Sequence, residues 1–250
     1  MYTCRVPLVL ASGSPRRRAF FEDMGLPFRV LLPPAGAEPL PEKDESPMLF
    51  AVRAACLKAF SLVPDLCGGK AFAISSHNAA LFWQAMDQGT EQTTEQAPSL
   101  APLPPSFIQA TCFARAIPAP QGMAAAVVAA DTVVAVGSRI LGKPAHPEEA
   151  LAMLQSLAGK EHDVFSSVAV LCPAGAIAFA VHTKVRMVAA STATLQRYVD
   201  TGEPADKAGA YAIQGIGAFL IESIEGSWSN VVGLPLAETI TALRAYHVLE

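Results

Sequence analysis

Charge is scarce in this 250-residue chain: Asp, Glu, Lys and Arg make up 16% of it, against 52% hydrophobic residues. That balance excludes a disordered chain, which lacks the apolar groups needed to offset the entropy of folding. Aromatic residues are also few, at 7%, and they are not interleaved with basic ones. The formal net charge of −4 leaves no broad basic surface, which argues against a nucleic-acid-binding module. The five cysteines (Cys4, Cys56, Cys67, Cys112 and Cys172) are odd in number, with no CxxC pair and no zinc-type spacing. They read as reduced, mostly buried thiols of a cytoplasmic protein. The apolar residues near the N-terminus form too short a run for a signal-peptide core and lack a preceding basic region. No segment reads as a membrane-spanning helix, because Arg and Pro interrupt the longest candidates.

What the chain does have is positive charge in one place. Arg16, Arg17 and Arg18 follow Ser12-Gly13-Ser14-Pro15, directly behind the apolar run 6–11. The run predicts a strand ending at Ala11, and Ser12-Gly13 a tight turn. Ser14 is a good N-cap and Pro15 is pre-set for the first helical position, so a helix is expected over 16–24, stopping at Gly25. A helix N-terminus offers backbone N–H groups and the positive end of the dipole, and guanidinium groups beside it favour phosphate. The competing reading is a solvated basic face.

Along the chain, residues 28–32 read as a second strand and 33–47 as a Pro-rich loop carrying Glu38, Glu42, Asp44 and Glu45. Residues 48–62 have helical periodicity, ended by Pro64. From 65 to 122 the composition shifts to Pro, Gln, Ala, Ser and Thr. We read this stretch as a partly disordered insertion in a single domain spanning 1–250, with one helical piece over 71–86 and an apolar patch at Leu81, Phe82 and Trp83. His77 within it reads as incidental rather than as a ligand. Strands resume at 124–130 and 133–136, and a helix starts at Pro147. Residues 164–171 and 176–188 pair as a hairpin, and 192–200 forms a helix. Residues 218–223 form a strand and 236–246 a closing helix. Strands alternate with helices except for one adjacent pair, which predicts an α/β fold with a mixed sheet rather than a purely parallel one.

Several residues carry candidate chemistry. Asp131 falls just past a strand end, where a carboxylate can ligate Mg²⁺ or accept a proton from water, or can simply be a turn aspartate. Lys143, in Gly142-Lys143-Pro144, can neutralise a phosphate or be solvated. The segment 206–215 mixes small and polar residues that let backbone approach a ligand. Within it, Gln214 has both a donor and an acceptor for the edge of a base, or it is a buried amide.

In this order the blocks resemble the Maf family of nucleoside triphosphate pyrophosphatases. The resemblance rests on Leu10-Ala11-Ser12-Gly13-Ser14-Pro15-Arg16-Arg17, on Val52-Arg53 through Lys58-Ala59, and on Ala130-Asp131-Thr132-Val133-Val134 with Gly142-Lys143-Pro144. Asp206 through Gly215 and Asn230-Val231-Val232-Gly233-Leu234-Pro235 complete it. It implies a twisted mixed sheet flanked by helices, with two lobes around a nucleotide cleft. It also implies hydrolysis between the α- and β-phosphates with a divalent cation, Mg²⁺ or Mn²⁺. Asp131 would then be the proton acceptor for water and, with Glu38, a metal ligand; Glu42 is the fallback for Glu38. Ser12, Arg16, Arg17, Lys58, Lys143 and Lys207 would face the substrate. Arg16, Thr132 and Gln214 match the branch acting on dTTP and UTP. The alternatives are the 7-methyl-GTP branch and a non-catalytic nucleotide-binding regulator of cell division. A homodimer is compatible with the family, and neither a nucleic acid nor a membrane is expected as partner.

Overall fold

Three long strands rich in Ala and Val carry the fold: β4 (Ala126–Val136), β6 (Glu161–Cys172) and β7 (Gly175–Met187), antiparallel in that order. The computed structural model of the chain describes residues 2–66, 103–117 and 120–250. The sheet has eight strands in the order β2-β1-β4-β6-β7-β3, with β5 on β4 and β8 on β7. Strand β1 (Leu8–Leu10) runs parallel to both β2 (Phe28–Val30) and β4. The other pairings are antiparallel, including β3 (Phe113–Ala116), β5 (Arg139–Leu141) and β8 (Ile221–Glu225). The mixed α/β architecture is the one anticipated.

Alternation of side chains sorts these strands onto two buried faces. Leu8, Leu10, Val128 and Ala130 face a core with Phe21 of α1 (Pro15–Asp23) and Leu243 of α8 (Leu236–Ala245). Val9, Ala11, Val127 and Ala129 face α2 (Pro47–Phe60), whose Val52, Ala55, Cys56 and Ala59 lie against them. Small residues on both sides let α2 sit close to the sheet. A third cluster, around the far ends of β4, β6 and β7, uses α5 (Pro147–Leu157) and α6 (Thr192–Asp200), with Leu154, Leu157, Val185, Leu195 and Tyr198. The long strands thus span two lobes.

The site follows from how β4 is paired. On one edge β1 pairs it only as far as Val128, and β5 begins only at Val134. Between them Ala129 to Val133 has no strand neighbour on that edge among the described residues, and a cleft opens there. Ligand sites in α/β sheets gather at such changes of strand neighbour.

Several expectations need correction. Strands expected at 124–130 and 133–136 are one strand running straight through Asp131, because β6 pairs it without a break. Pro64 does not terminate helical structure; it occupies the start of a short helix α3 (Val63–Leu66), where its missing N–H costs nothing. Residues 215–220 form a 3₁₀ turn, which delays β8 to Ile221. The region Pro47–Leu66 is long and apolar enough, with mean hydropathy 1.4, to pass for a membrane span; 67% of it is buried in the protein and it packs on β4 and β6, as a core helix does. Within the stretch read as an insertion, α4 (Pro105–Ala110) and β3 are ordered parts of the fold, and β3 pairs with β7. The helix expected over 71–86, its patch at Leu81, Phe82 and Trp83, and His77 lie outside the described residues. The four described cysteines are free thiols.

Candidate active site

The cleft has a volume of about 530 Å³, within the range of small-molecule sites, and the segment Ala11 to Arg17 lines one side of it. Because side chains alternate along β4, neighbours Asp131 and Thr132 leave the strand on opposite faces. Asp131 points to the α2 side, where Lys58 in the last turn of that helix donates to its Oδ1 at 2.7 Å. Lys58 Nζ also lies 3.2 Å from Glu38 Oε1, so one ammonium joins two carboxylates. Lys143 Nζ approaches the same Glu38 oxygen at 3.9 Å. Lys58's charge is the largest influence on Glu38 and holds its carboxyl below the ordinary range, against partial burial.

Thr132 points to the α1 side and meets Arg17. Arg17 as a residue is buried, at 9% exposure. Its Nε donates to Gly233 O at 2.8 Å, Nη1 to Ala130 O at 2.8 Å and Ser12 Oγ at 3.3 Å, and Nη2 to Thr132 Oγ1 at 3.1 Å. Four of its five N–H donors are therefore spent on the protein. Burial pulls its pKa below the ordinary arginine value, and the Asp131 carboxylate opposes that shift. The guanidinium stays charged.

The hydroxyls beyond Arg17 form an ordered chain. Asn230 O can only accept, so Ser166 Oγ spends its one proton there at 2.7 Å. Thr132 Oγ1 then donates to Ser166 Oγ at 2.8 Å, rather than to Gly233 O at 3.3 Å, while accepting from Arg17. Asn230 is fully buried and closes the network through Ser166 N, Val164 O and Thr183 Oγ1. The Thr132 hydroxyl expected to help choose the base is thus bonded to protein on both sides.

The opposite wall is built from turns and is more open. Arg16 Nη1 has one distant carboxylate, Asp206 Oδ2 at 3.9 Å, and Lys207 Nζ bonds Asp206 Oδ1 at 2.6 Å. Gln214 lies in extended backbone at the cleft, and its amide has no partner among the described residues. Tyr211 also lines the cleft, and its hydroxyl meets buried His162 Nε2 at 2.7 Å. Burial pulls the His162 imidazole down to about 4, with Asp163 opposing, so it is neutral near pH 7.

A family model described as "Maf-like protein" matches residues 7–246, nearly the whole chain. The chain belongs to this family. It is similar to proteins named dTTP/UTP pyrophosphatase from Nitratidesulfovibrio vulgaris and Oleidesulfovibrio alaskensis. The first is 44% identical over 243 residues, covering 97% of this chain and 88% of the relative; the second is 39% identical over 247 residues, covering 97% and 86%. A third of the same name, from Desulfotalea psychrophila, is 35% identical over 251 residues, covering 100% and 99%.

For this Maf-like chain the cleft gathers Ser12, Arg16, Arg17, Glu38, Lys58, Asp131, Thr132, Lys143, Lys207 and Gln214 along its walls. Glu42 is not there; it pairs with Arg53 Nη1 at 3.4 Å. Among the described residues no cluster of three or more potential metal ligands exists. The donor set is instead two carboxylates, Asp131 and Glu38, converging on one ammonium. Such a pair fits a hard divalent cation that takes its remaining ligands from water and substrate phosphates. Sequence reading passed over Ser166, Tyr198 and Glu203 as site-building residues, and gave Asn230 and Asp206 a place in motif blocks but no role of their own. For Ser166, its place with Ser167 in an otherwise apolar run was an available signal.

Proposed function

We propose that this protein hydrolyses nucleoside triphosphates between the α- and β-phosphates, with dTTP and UTP preferred and a divalent cation assisting. Nucleoside triphosphate pyrophosphatase is the activity that its relatives' names attach to this family. The observation that carries the reading is the Asp131–Lys58–Glu38 cluster, in which Asp131 and Lys58 are largely buried and Glu38 stands exposed, in a cleft also lined by Arg16, Lys143 and Lys207. A triphosphate needs that concentration of positive charge, and hydrolysis needs a carboxylate beside it.

On this reading the cations of both walls bind the triphosphate. An incoming phosphate competes for Lys58 and frees Asp131 Oδ1 to receive a proton from water. The water oxygen bonds to phosphorus, the anhydride bond between the α- and β-phosphates breaks, and pyrophosphate leaves with its electron pair. Asp131 and Glu38 would hold the cation, which supplies charge neutralisation at the phosphates when bound. Arg17, fixed by four bonds, contributes a charge that does not reorganise during the reaction. Gln214's amide can pair with the O4 and N3–H edge of uracil or thymine.

Pyrophosphate release across a panel of nucleoside triphosphates tests this. dTTP and UTP should lead the panel. Preference for 7-methyl-GTP would move the chain to the other branch, and binding without pyrophosphate release would make it a non-catalytic regulator.

A further inference from the structure

Gln214 sits at the crest of a loop whose two feet are held by the same pair of side chains. On one side Ala212 N donates to the Tyr198 hydroxyl at 3.2 Å. On the other, Ile216 N donates to Glu203 Oε1 at 2.9 Å and Gly217 N to Glu203 Oε2 at 2.7 Å. The Tyr198 hydroxyl also lies against the place a methyl group on Gly217 would take, so the tyrosine borders both feet. Tyr198 comes from α6 and Glu203 from the 3₁₀ turn Glu203–Asp206 behind it, so the anchor lies outside the loop it grips. The same turn reaches the phosphate rim, where Lys207 Nζ donates to Glu203 O at 2.5 Å.

The loop's glycines follow from this anchor. Gly215 has φ +73°, and a methyl group on it would overlap Glu203 Oε1. A methyl group on Gly217 would overlap the Tyr198 hydroxyl and lie 2.7 Å from Ala212 O. Only bare backbone can come near enough for both carboxylate oxygens to be used. Burial pushes the Glu203 carboxyl up, but the neighbouring Tyr198 hydroxyl and the Gly217 and Ile216 N–H groups outweigh it and leave the group below its ordinary range.

We propose that Glu203 and Tyr198 form a bracket that fixes the height and orientation of Gln214 in the cleft, making Glu203 a positioning residue for nucleotide selectivity. The inference rests on the proposed function, in which Gln214 reads the base. Two backbone N–H groups bond one carboxylate oxygen each, and an amide of the same shape offers only one acceptor oxygen to the pair.

The test is a double-mutant cycle with Glu203→Gln and Gln214→Ala, read by kcat and KM for dTTP and dGTP. In the parent background, Glu203→Gln should raise KM for dTTP and cut the dTTP-over-dGTP ratio of kcat/KM by about tenfold, the scale of one charge-assisted hydrogen bond. kcat should fall by less than KM rises. In the Gln214→Ala background the same change should alter the ratio by less than about twofold, since contacting residues are not additive. Equal losses in both backgrounds, or an unchanged ratio, would overturn the bracket. If Glu203→Gln does not fold, Tyr198→Phe, which deletes only the hydroxyl, runs the same cycle with the same outcomes. A parent enzyme that turns over neither dTTP nor UTP would overturn the proposed function and the bracket with it. A parent that does, with additive losses, would overturn the bracket alone.

Discussion

Arg16 and Arg17 are adjacent on α1, yet their side chains turn toward different walls of the cleft. Arg17 is buried and bonded to four protein acceptors. Arg16 is part-exposed, with a single carboxylate at 3.9 Å. The contrast extends to everything around them. The wall with Arg17, Thr132, Asp131 and Lys58 is made of strand and helix, packed and internally hydrogen-bonded. The wall with Lys143, Asp206, Lys207 and Gln214 is made of turns, and Lys143 and Asp206 are exposed on it, while Lys207 is tied to Glu203 O and Asp206 Oδ1. The difference teaches where each kind of work is done. Charge that must not move during a reaction belongs on the packed wall, and groups that must meet and release a ligand belong on the open one.

Substitutions sharpen or break that comparison. Arg17→Met should destabilise the protein by about 3 kcal/mol, because Ala130 O, Gly233 O and Thr132 lose their donor inside the core. A thermal melt should show a fall in Tm of roughly 6–12 °C. A melt unchanged from the parent would return Arg17 to the open wall.

A further anchored point of the open wall is Tyr211 on His162, and it makes a pH prediction. Folded, the imidazole titrates at about 4; unfolded, near 6.5. Between those values the unfolded chain binds the extra proton, so stability falls as pH falls, by about 1.4 kcal/mol per unit from this group. Below about pH 4 the loss is complete. Denaturant titrations of the parent and His162→Gln across this window should diverge by that slope, and parallel curves would refute the burial argument.

The smallest effect belongs to Lys143. Its side chain is 60% exposed, and its one ion pair among the described residues is with Glu38 at 3.9 Å. Lys143→Ala should leave the melt unchanged and raise KM by about two- to fivefold, in keeping with a loosely held surface charge. A loss of stability, or of kcat alone, would erase the distinction between the walls.

Much of the fold could be read from the chain. The β6–β7 hairpin, α1, α2, α5, α6 and α8 follow from apolar periodicity and from Pro and Gly punctuation. The strands β3 and β5 do not, because each is three or four residues long and too short to show a period. For the site, the residue types and their order were legible, but the direction each side chain takes was less so. Arg17's burial did leave a trace: Phe21 lies four residues on, on the same helical face, and is fully buried. Arg16 and Arg18 are turned away from that face. Glu203 left none, because its partners are backbone N–H groups of residues 216 and 217, which no side-chain pattern announces.

The central claim is that the packed wall performs the chemistry while the cleft as a whole binds the nucleotide. Asp131→Asn tests it most directly, with turnover and dTTP affinity measured on the same preparation. Turnover should fall by about 10²- to 10⁴-fold, the worth of a positioned general base, while dTTP still binds with an affinity close to that of the parent. Turnover within a few-fold of the parent would contradict the account.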